Sequence, residues 1–160
     1  MKPSLLFVCW GNICRSPLAH GVMYELNKKA DVFGNIDSCG MYGEPEGEPI
    51  HEGSQSILRN KLHSNFTKRS RHWKKSDYNN FDLILAMDSS NYRDIMDELG
   101  GKDSKHKVRM FRDFDPQGNG DVPDPYYSGG FGKVFDIINR TCTNMIGLQQ
   151  NQRLLTDASE

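Results

Sequence analysis

Long hydrophobic runs and closely spaced cysteines are both missing from this sequence of 160 residues. No apolar stretch approaches the length that crosses a bilayer, and the apolar run near the start ends at Trp10, without the charged leader and apolar core of a signal peptide. Neither a disulfide-scaffold nor a zinc-ribbon spacing links the cysteines, which are Cys9, Cys14, Cys39 and Cys142. These absences predict a protein of a reducing, cytoplasmic compartment, with no membrane segment.

An excess of charge of one sign is missing as well. The 20 basic and 21 acidic residues give a net charge of −1, which argues against a general nucleic-acid binder. Internal repeats are absent, and a chain of 160 residues holds one sizeable core more comfortably than two. We therefore expect a single domain over residues 1–160, as a monomer or weak homodimer, with residues 150–160 as a frayed polar tail.

Strand and helix patterns alternate along the chain. Buried-strand patterns cover four segments, namely Leu5–Cys9, Ile36–Cys39, Leu83–Met87 and Val108–Phe111. Helical patterns cover four more, at residues 16–30, 51–62, 89–99 and 131–148. This alternation predicts an α/β fold of three layers, similar to Rossmann and flavodoxin folds, with a four-stranded parallel sheet and helices on both faces. Ligands of such sheets bind beyond the carboxyl ends of the strands.

The strongest chemical signal follows the first strand, in Val8-Cys9-Trp10-Gly11-Asn12-Ile13-Cys14-Arg15-Ser16-Pro17. Gly11 and Asn12 tolerate the positive φ that a tight loop demands. Ser16 suits a helix N-cap and Pro17 a first helical turn. The pattern predicts a short loop whose N–H groups, together with a helix N-terminus, surround one small anion.

Cys9 and Arg15 stand six positions apart, at the two ends of this predicted loop. A cysteine attacks as the thiolate, which a helix N-terminus and a guanidinium both favour. The planar guanidinium also matches two phosphate oxygens. A Cys-x5-Arg pair alone arises easily by chance, but the strand before it, the Gly-Asn inside it and the Ser-Pro after it favour a phosphate-handling site.

The segment resembles the signature of the low-molecular-weight protein tyrosine phosphatases. The similarity continues in order through Ile36–Ser38, Phe81–Asp88 and Val122–Tyr127, and so covers nearly the whole chain. The resemblance implies the fold of that family and hydrolysis of phosphotyrosine in protein substrates through a phosphocysteine. It implies no metal and no cofactor, and inhibition by phosphate or vanadate. It also assigns support of the phosphate loop to several residues, namely Trp10, Gly11, Asn12, Ile13, Cys14, Ser16 and Ser38.

Asp124 is the candidate general acid. Expulsion of a phenolate needs a proton donor, and general acid catalysis typically contributes roughly 10²–10⁴-fold. Pro123 and Pro125 stiffen the chain on either side, although an isolated Pro-Asp-Pro is more often only a turn. The resemblance implies the acid role for Asp124, and a substrate-pocket wall of Tyr126 and Tyr127, which are phosphorylated in some members.

The chain departs from that family in several places. The acidic loop Met41–Pro49 lacks the tryptophan that often forms a pocket wall, and we expect Tyr42 to replace it. Lys68 stands where the family often has a histidine, and it opens a basic run, Lys68–Lys75, that we expect to be a solvated face. The substrate preference therefore stays open.

The remaining cysteines allow two interpretations. Cys14 could form a reversible disulfide with Cys9 after oxidation, or it could be a small buried filler. Cys39 and Cys142 are expected in the core. No histidine stands within the segment Val8–Pro17, so we expect no metal site of cysteine and histidine.

Three alternative functions are weighed. An arsenate reductase on this fold needs two further redox cysteines, which Cys39 and Cys142 do not provide. A protein-arginine phosphatase typically carries threonine at the position of Ile13, and isoleucine favours phosphotyrosine on steric grounds. A phosphate-binding module without catalysis is disfavoured by the presence of Cys9, Arg15 and Asp124.

Overall fold

The computed structural model describes residues 1–43 and 45–159, including their side chains except at positions 127, 128 and 157–159. Its centre is a parallel sheet with the strand order β2-β1-β3-β4. The strands are β1 (Leu5–Cys9), β2 (Ile36–Gly40), β3 (Leu83–Ala86) and β4 (Val108–Met110). The predicted parallel sheet is confirmed, and its strand bounds shift by one residue at most.

Helices connect the strands and cover the sheet. They are α1 (Arg15–Ala30), α2 (Glu52–Leu62), α3 (Asp77–Asn80), α4 (Ser89–Glu98), α5 (Pro125–Ser128), α6 (Phe131–Gln150) and α7 (Leu154–Ser159). A 3₁₀ turn spans Phe111–Phe114. Among the helices described, none combines the length and the apolar character that a membrane crossing requires.

The apolar run of β1 is continuous because both of its faces are buried. Successive side chains of a strand point to opposite faces of the sheet. Leu5 and Phe7 pack into a core cluster that includes residues of α1 and α6. Leu6 and Val8 pack into a second cluster, which includes Ile95 of α4. The predicted three layers, with helices on both faces, are therefore confirmed.

The end of the chain differs from the expectation. Within residues 150–159 the expected frayed tail is instead a short turn followed by α7, which is separated from the end of α6 by three residues. Leu154 is completely buried and belongs to the same core cluster as Met145 of α6. The Arg153 N–H donates to the Leu148 carbonyl at 2.8 Å, which closes the turn between the two helices. The buried side chain of Leu154 thus anchors this otherwise polar segment to the core.

Helix α1 is joined to β2 by a buried polar contact. His20 Nδ1 lies 2.9 Å from Ser38 Oγ, and its ring packs on Phe66 with 4.7 Å between ring centroids. Burial, reinforced by the neighbouring positive charge of Lys68, lowers the pKa of His20 from 6.5 to about 4. The imidazole is therefore neutral at physiological pH.

Folding disfavours protonation of His20, so the unfolded chain binds more protons between about pH 4 and pH 6.5. The free energy of unfolding should therefore decrease as the pH falls through this interval, by up to about 3 kcal/mol. A His20→Gln variant should show a flatter dependence. Denaturant unfolding at pH 7, 5.5 and 4.5 measures both proteins, and equal slopes against pH would contradict the assignment.

Candidate active site

The loop between β1 and α1 wraps around the sulfur of Cys9. The Asn12 N–H donates to Cys9 Sγ at 3.2 Å, and Ser16 Oγ lies 3.0 Å from the same sulfur. Asn12 adopts φ of 58°, as the tight loop was expected to require, whereas Gly11 has no positive φ. The Asn12 N–H and the Ser16 hydroxyl thus both lie within hydrogen-bond distance of the Cys9 sulfur.

Ser16 does not cap α1, contrary to the expectation. The helix begins at Arg15, with Cys14 as its N-cap residue and no side-chain capping bond. The Ser16 hydroxyl turns to Cys9 because Asn12 Nδ2 donates to it at 2.8 Å. Ser16, the residue best suited to an N-cap, thus contacts the Cys9 sulfur instead of capping the helix.

The basic run is only in part the solvated face that the sequence predicts, because Arg69, Lys74 and Lys75 are exposed whereas Lys68 and Arg71 are paired within the molecule. The Arg71 N–H donates to Asn12 Oδ1 at 3.1 Å and so holds the other end of that amide. The Arg71 side chain is itself fixed by Asp37 at 3.0 Å and by both oxygens of Asp77 at 3.0 and 3.1 Å. Although burial by itself would lower it, hydrogen bonding to Asp77 raises the pKa of Arg71. The basic run Lys68–Lys75 therefore supports the phosphate loop through Asn12, and it is called the supporting segment below.

Ser38, for which a loop-supporting role is predicted, lies between His20 of α1 and Lys68. Its hydroxyl contacts His20 and receives a hydrogen bond from Lys68 Nζ at 3.0 Å. Lys68 Nζ also donates to the Ser38 carbonyl at 2.6 Å and lies 3.6 Å from Asp37. Burial lowers the pKa of Lys68. Lys68 therefore ties β2 to the supporting segment.

Arg15 is buried, with 4% of its side chain exposed. Its NH1 group donates to Asp88 Oδ2 at 2.7 Å and to the Val122 carbonyl at 2.9 Å. Burial by itself would lower the pKa of Arg15, but the sulfur of Cys9 and the carboxylate of Asp88 raise it. The guanidinium is held in one orientation and stays charged.

The sequence predicts Asp88 or Ser89 as the cap of the helix over residues 89–99, and it assigns Asp88 no part in the site. Asp88 is the N-cap of α4, and it accepts the Asn91 N–H at 2.8 Å as well as the bond from Arg15. Burial alone would raise its pKa, but the bonds from Asn91 and Arg15 lower it. One signal in the sequence could have predicted its place in the site: an aspartate directly after a buried strand lies at the same sheet edge as Cys9.

Asp124 stands across from Arg15. Its Oδ2 lies 3.7 Å from Arg15 NH2, and its Oδ1 accepts the Tyr126 N–H at 3.0 Å, which makes it the N-cap of α5. The side chain is 35% exposed. The three predicted catalytic residues share one cavity of about 290 Å³, lined by Cys9, Trp10, Gly11, Ile13, Cys14, Arg15, Asp124 and Tyr126.

The aromatic wall differs in part from the prediction. Trp10, expected as a loop-supporting residue, is 52% exposed and lines the cavity, as does Tyr126. Tyr42 is not among the residues that line this cavity, and its ring packs against the Trp10 ring with 6.4 Å between centroids. The wall role of Tyr42 stays a prediction. The side chain of Tyr127 lies outside the described residues.

The thiols differ in their surroundings. Cys14 lines the cavity, and burial together with the nearby Cys9 raises its pKa to about 12. Cys39 and Cys142 are completely buried, as expected, and burial raises the pKa of both. Within the described residues, no group of three or more His, Cys, Asp or Glu side chains could hold a metal ion.

The site as a whole presents a sulfur, a cation, a helix N-terminus and a carboxyl group to one small cavity. Such an arrangement can bind a phosphate and attack its phosphorus atom. Fold and site thus define a class, that of α/β proteins with a cysteine and an arginine at the two ends of a loop between the first strand and the first helix.

Comparison with known proteins narrows this class. The family model "Low molecular weight phosphotyrosine protein phosphatase" matches residues 4–157. The low molecular weight protein-tyrosine-phosphatase YfkJ of Bacillus subtilis is 38% identical over 154 residues, which is 95% of this chain and 99% of YfkJ. A crystal structure of a protein tyrosine phosphatase from Entamoeba histolytica is similar with a TM-score of 0.85 and 33% identity, over 96% of this chain and all of the other. The chain belongs to the low molecular weight phosphotyrosine protein phosphatase family, whose members are hydrolases.

The close approach of β2 to the phosphate loop can be tested at Gly40. A Cβ at this position would lie 2.7 Å from the Trp10 carbonyl oxygen and 2.9 and 3.0 Å from backbone atoms of Gly11 and Asn12. Gly40→Ala should therefore distort the loop and weaken binding of inorganic phosphate by about tenfold or more, since small displacements in such sites are costly. Calorimetric titration with phosphate measures this.

Gly147→Ala is the matched control for Gly40→Ala. A Cβ at Gly147 meets no atom within 4 Å, and the residue lies inside α6. The change should leave phosphate binding unaltered and stabilise the fold slightly, by about 0.5–1 kcal/mol. Parent-like phosphate binding by Gly40→Ala would show that the loop does not depend on this contact.

Proposed function

We propose that this protein hydrolyses phosphotyrosine in protein substrates, and other aryl phosphate monoesters, in two steps through a phosphocysteine and without a metal ion. The observation that carries the proposal is the cavity that Cys9, Arg15 and Asp124 line together. The family to which the chain belongs supports the substrate class.

In the first step the Cys9 thiolate attacks phosphorus. An S–P bond forms and the P–O bond to the leaving group breaks, while Asp124 gives its proton to the departing oxygen. The N–H groups of the loop and Arg15 hold the equatorial oxygens. Asp88 and the Val122 carbonyl keep the guanidinium in place, because both bind its NH1 group.

In the second step water takes the place of the leaving group. Asp124, now a carboxylate, accepts a proton from the water as its oxygen bonds to phosphorus. The S–P bond breaks, inorganic phosphate leaves and the thiolate returns. The Asn12 N–H and the Ser16 hydroxyl next to the sulfur stabilise it as the leaving group of this step.

The lining of the cavity favours an aryl ester. Trp10 and Tyr126 contribute aromatic side chains, and Ile13 contributes an apolar one. A volume of about 290 Å³ suits one phosphorylated side chain. The bulk of Ile13 favours phosphotyrosine over phosphoarginine.

The single domain, the cytoplasmic location, the monomeric or weakly dimeric state and the reversible Cys9–Cys14 disulfide stay predictions.

Replacement of the nucleophile should abolish turnover. A Cys9→Ser variant should show no hydrolysis of p-nitrophenyl phosphate and should still bind inorganic phosphate or vanadate, because Arg15 and the loop remain. Initial rates and calorimetric titration measure the two properties. Cys142→Ala is the control, since Cys142 is buried among residues of the core. A Cys9→Ser protein that remains active would contradict the mechanism.

The acid role predicts a dependence on the leaving group. Asp124→Asn keeps an acceptor for the Tyr126 N–H but cannot donate the carboxyl proton. It should slow phenyl phosphate by about 10²–10⁴-fold, and an ester with a more acidic phenol much less. Values of kcat for a series of substituted phenyl phosphates measure this, and equal losses across the series would exclude Asp124 as the acid.

The substrate class is tested with four compounds. Initial rates are compared on a phosphotyrosine peptide, a phosphoserine peptide, phosphoarginine and arsenate, with and without a thiol reductant. We expect activity on the first only, inhibition by vanadate and no effect of EDTA. Preference for phosphoarginine, or thiol-dependent reduction of arsenate, would establish the corresponding alternative.

A further inference from the structure

His51 lies beside the active site and has no part in the chemistry described above. It is the N-cap residue of α2. Its backbone N–H donates to the Ile13 carbonyl at 2.8 Å, which ties it to the phosphate loop. The start of α2 is therefore attached to the wall of the cavity.

The orientation of the His51 ring is set by two contacts. Nδ1 accepts the Gly53 N–H at 3.0 Å, which caps α2 and fixes one edge of the ring. One ring face stacks on Phe131 at the start of α6, with 5.1 Å between centroids and 18° between planes. A Cβ at Gly53 would lie 2.4–2.6 Å from the Phe131 ring, so glycine is needed there for Phe131 to come this close.

The His51 ring also contacts Tyr126. The two rings meet edge to face, with 5.7 Å between centroids and 71° between planes. Tyr126 lines the cavity two residues after Asp124, yet 54% of it is exposed. A ring this exposed depends on its neighbours for a defined orientation, because burial does not provide one.

We propose that His51 is a positioning residue, which holds the Tyr126 ring in the orientation that receives the aromatic group of the substrate. This role rests on the proposed hydrolysis of aryl phosphates. Phe131 supports the ring from behind, and the backbone bond to Ile13 keeps it in register with the phosphate loop. The phosphate itself is bound by other groups, so His51 affects the aryl part of the ligand selectively.

Two variants separate the ring of His51 from its capping nitrogen. His51→Asn retains an acceptor suited to an N-cap but removes the ring. His51→Phe retains an aromatic ring between Phe131 and Tyr126 but removes the acceptor for the Gly53 N–H. If His51 only stabilises α2, then the Phe variant is the more damaged in every property.

The experiment measures ligand affinity in the Cys9→Ser background and kinetics in the active protein. His51→Asn should weaken binding of phenyl phosphate about three- to tenfold, the range of one aromatic pair, and leave binding of inorganic phosphate unchanged. In the active enzyme it should raise KM for p-nitrophenyl phosphate similarly, with kcat within about twofold of the parent. His51→Phe should bind phenyl phosphate as the parent does, while its Tm falls below that of His51→Asn.

Two results would overturn the role of His51. One is unchanged affinity of His51→Asn for phenyl phosphate, and the other is an equal loss of affinity for inorganic phosphate. The parent chain tests the proposed function in the same experiment. Failure of the parent to hydrolyse aryl phosphates would contradict that function, whereas an active parent with an unaffected His51→Asn variant would contradict only the positioning role.

Discussion

The side-chain amide of Asn12 is the contact on which the site depends. It donates to the Ser16 hydroxyl, which lies beside the Cys9 sulfur, and it accepts the Arg71 N–H from the supporting segment. A tight loop with a residue at positive φ does not keep its shape by itself, because conformational freedom must be removed from outside. This amide joins the nucleophile to a part of the chain almost sixty residues away.

Two largely buried arginines, Arg15 and Arg71, are each paired with aspartates. Arg71 is held by Asp37 and Asp77, and Arg15 is held by Asp88. A buried cation is costly without such partners, and removal of one partner is strongly destabilising. An intact pair adds little net stability, because its attraction mainly offsets the cost of burying the charges. Its effect is on geometry: Arg15 is held at the cavity, and Arg71 is held in the supporting segment.

The fold was predictable because the apolar patterns are strong. The alternation of strands and helices was enough for the parallel sheet, and the position of Cys9 at the end of β1 was enough for the place of the site. Predictions were wrong where a side chain could contact either its neighbours in sequence or residues far along the chain. Ser16 suits a helix cap, but its hydroxyl contacts the Cys9 sulfur instead. The basic run suits a solvated face, yet Arg71 is paired within the molecule.

By itself the sequence determined the sheet, the loop after β1 and the residues proposed as nucleophile, phosphate-binding cation and acid, because these follow from local patterns and from short contiguous motifs. Only the tertiary structure decided that Asp88 orients Arg15, that Trp10 lines the cavity and that His51 contacts Tyr126. The physical reason is the separation along the chain. Contacts between residues far apart in sequence depend on how helices and loops pack at the carboxyl edge of the sheet, and no local pattern encodes that packing.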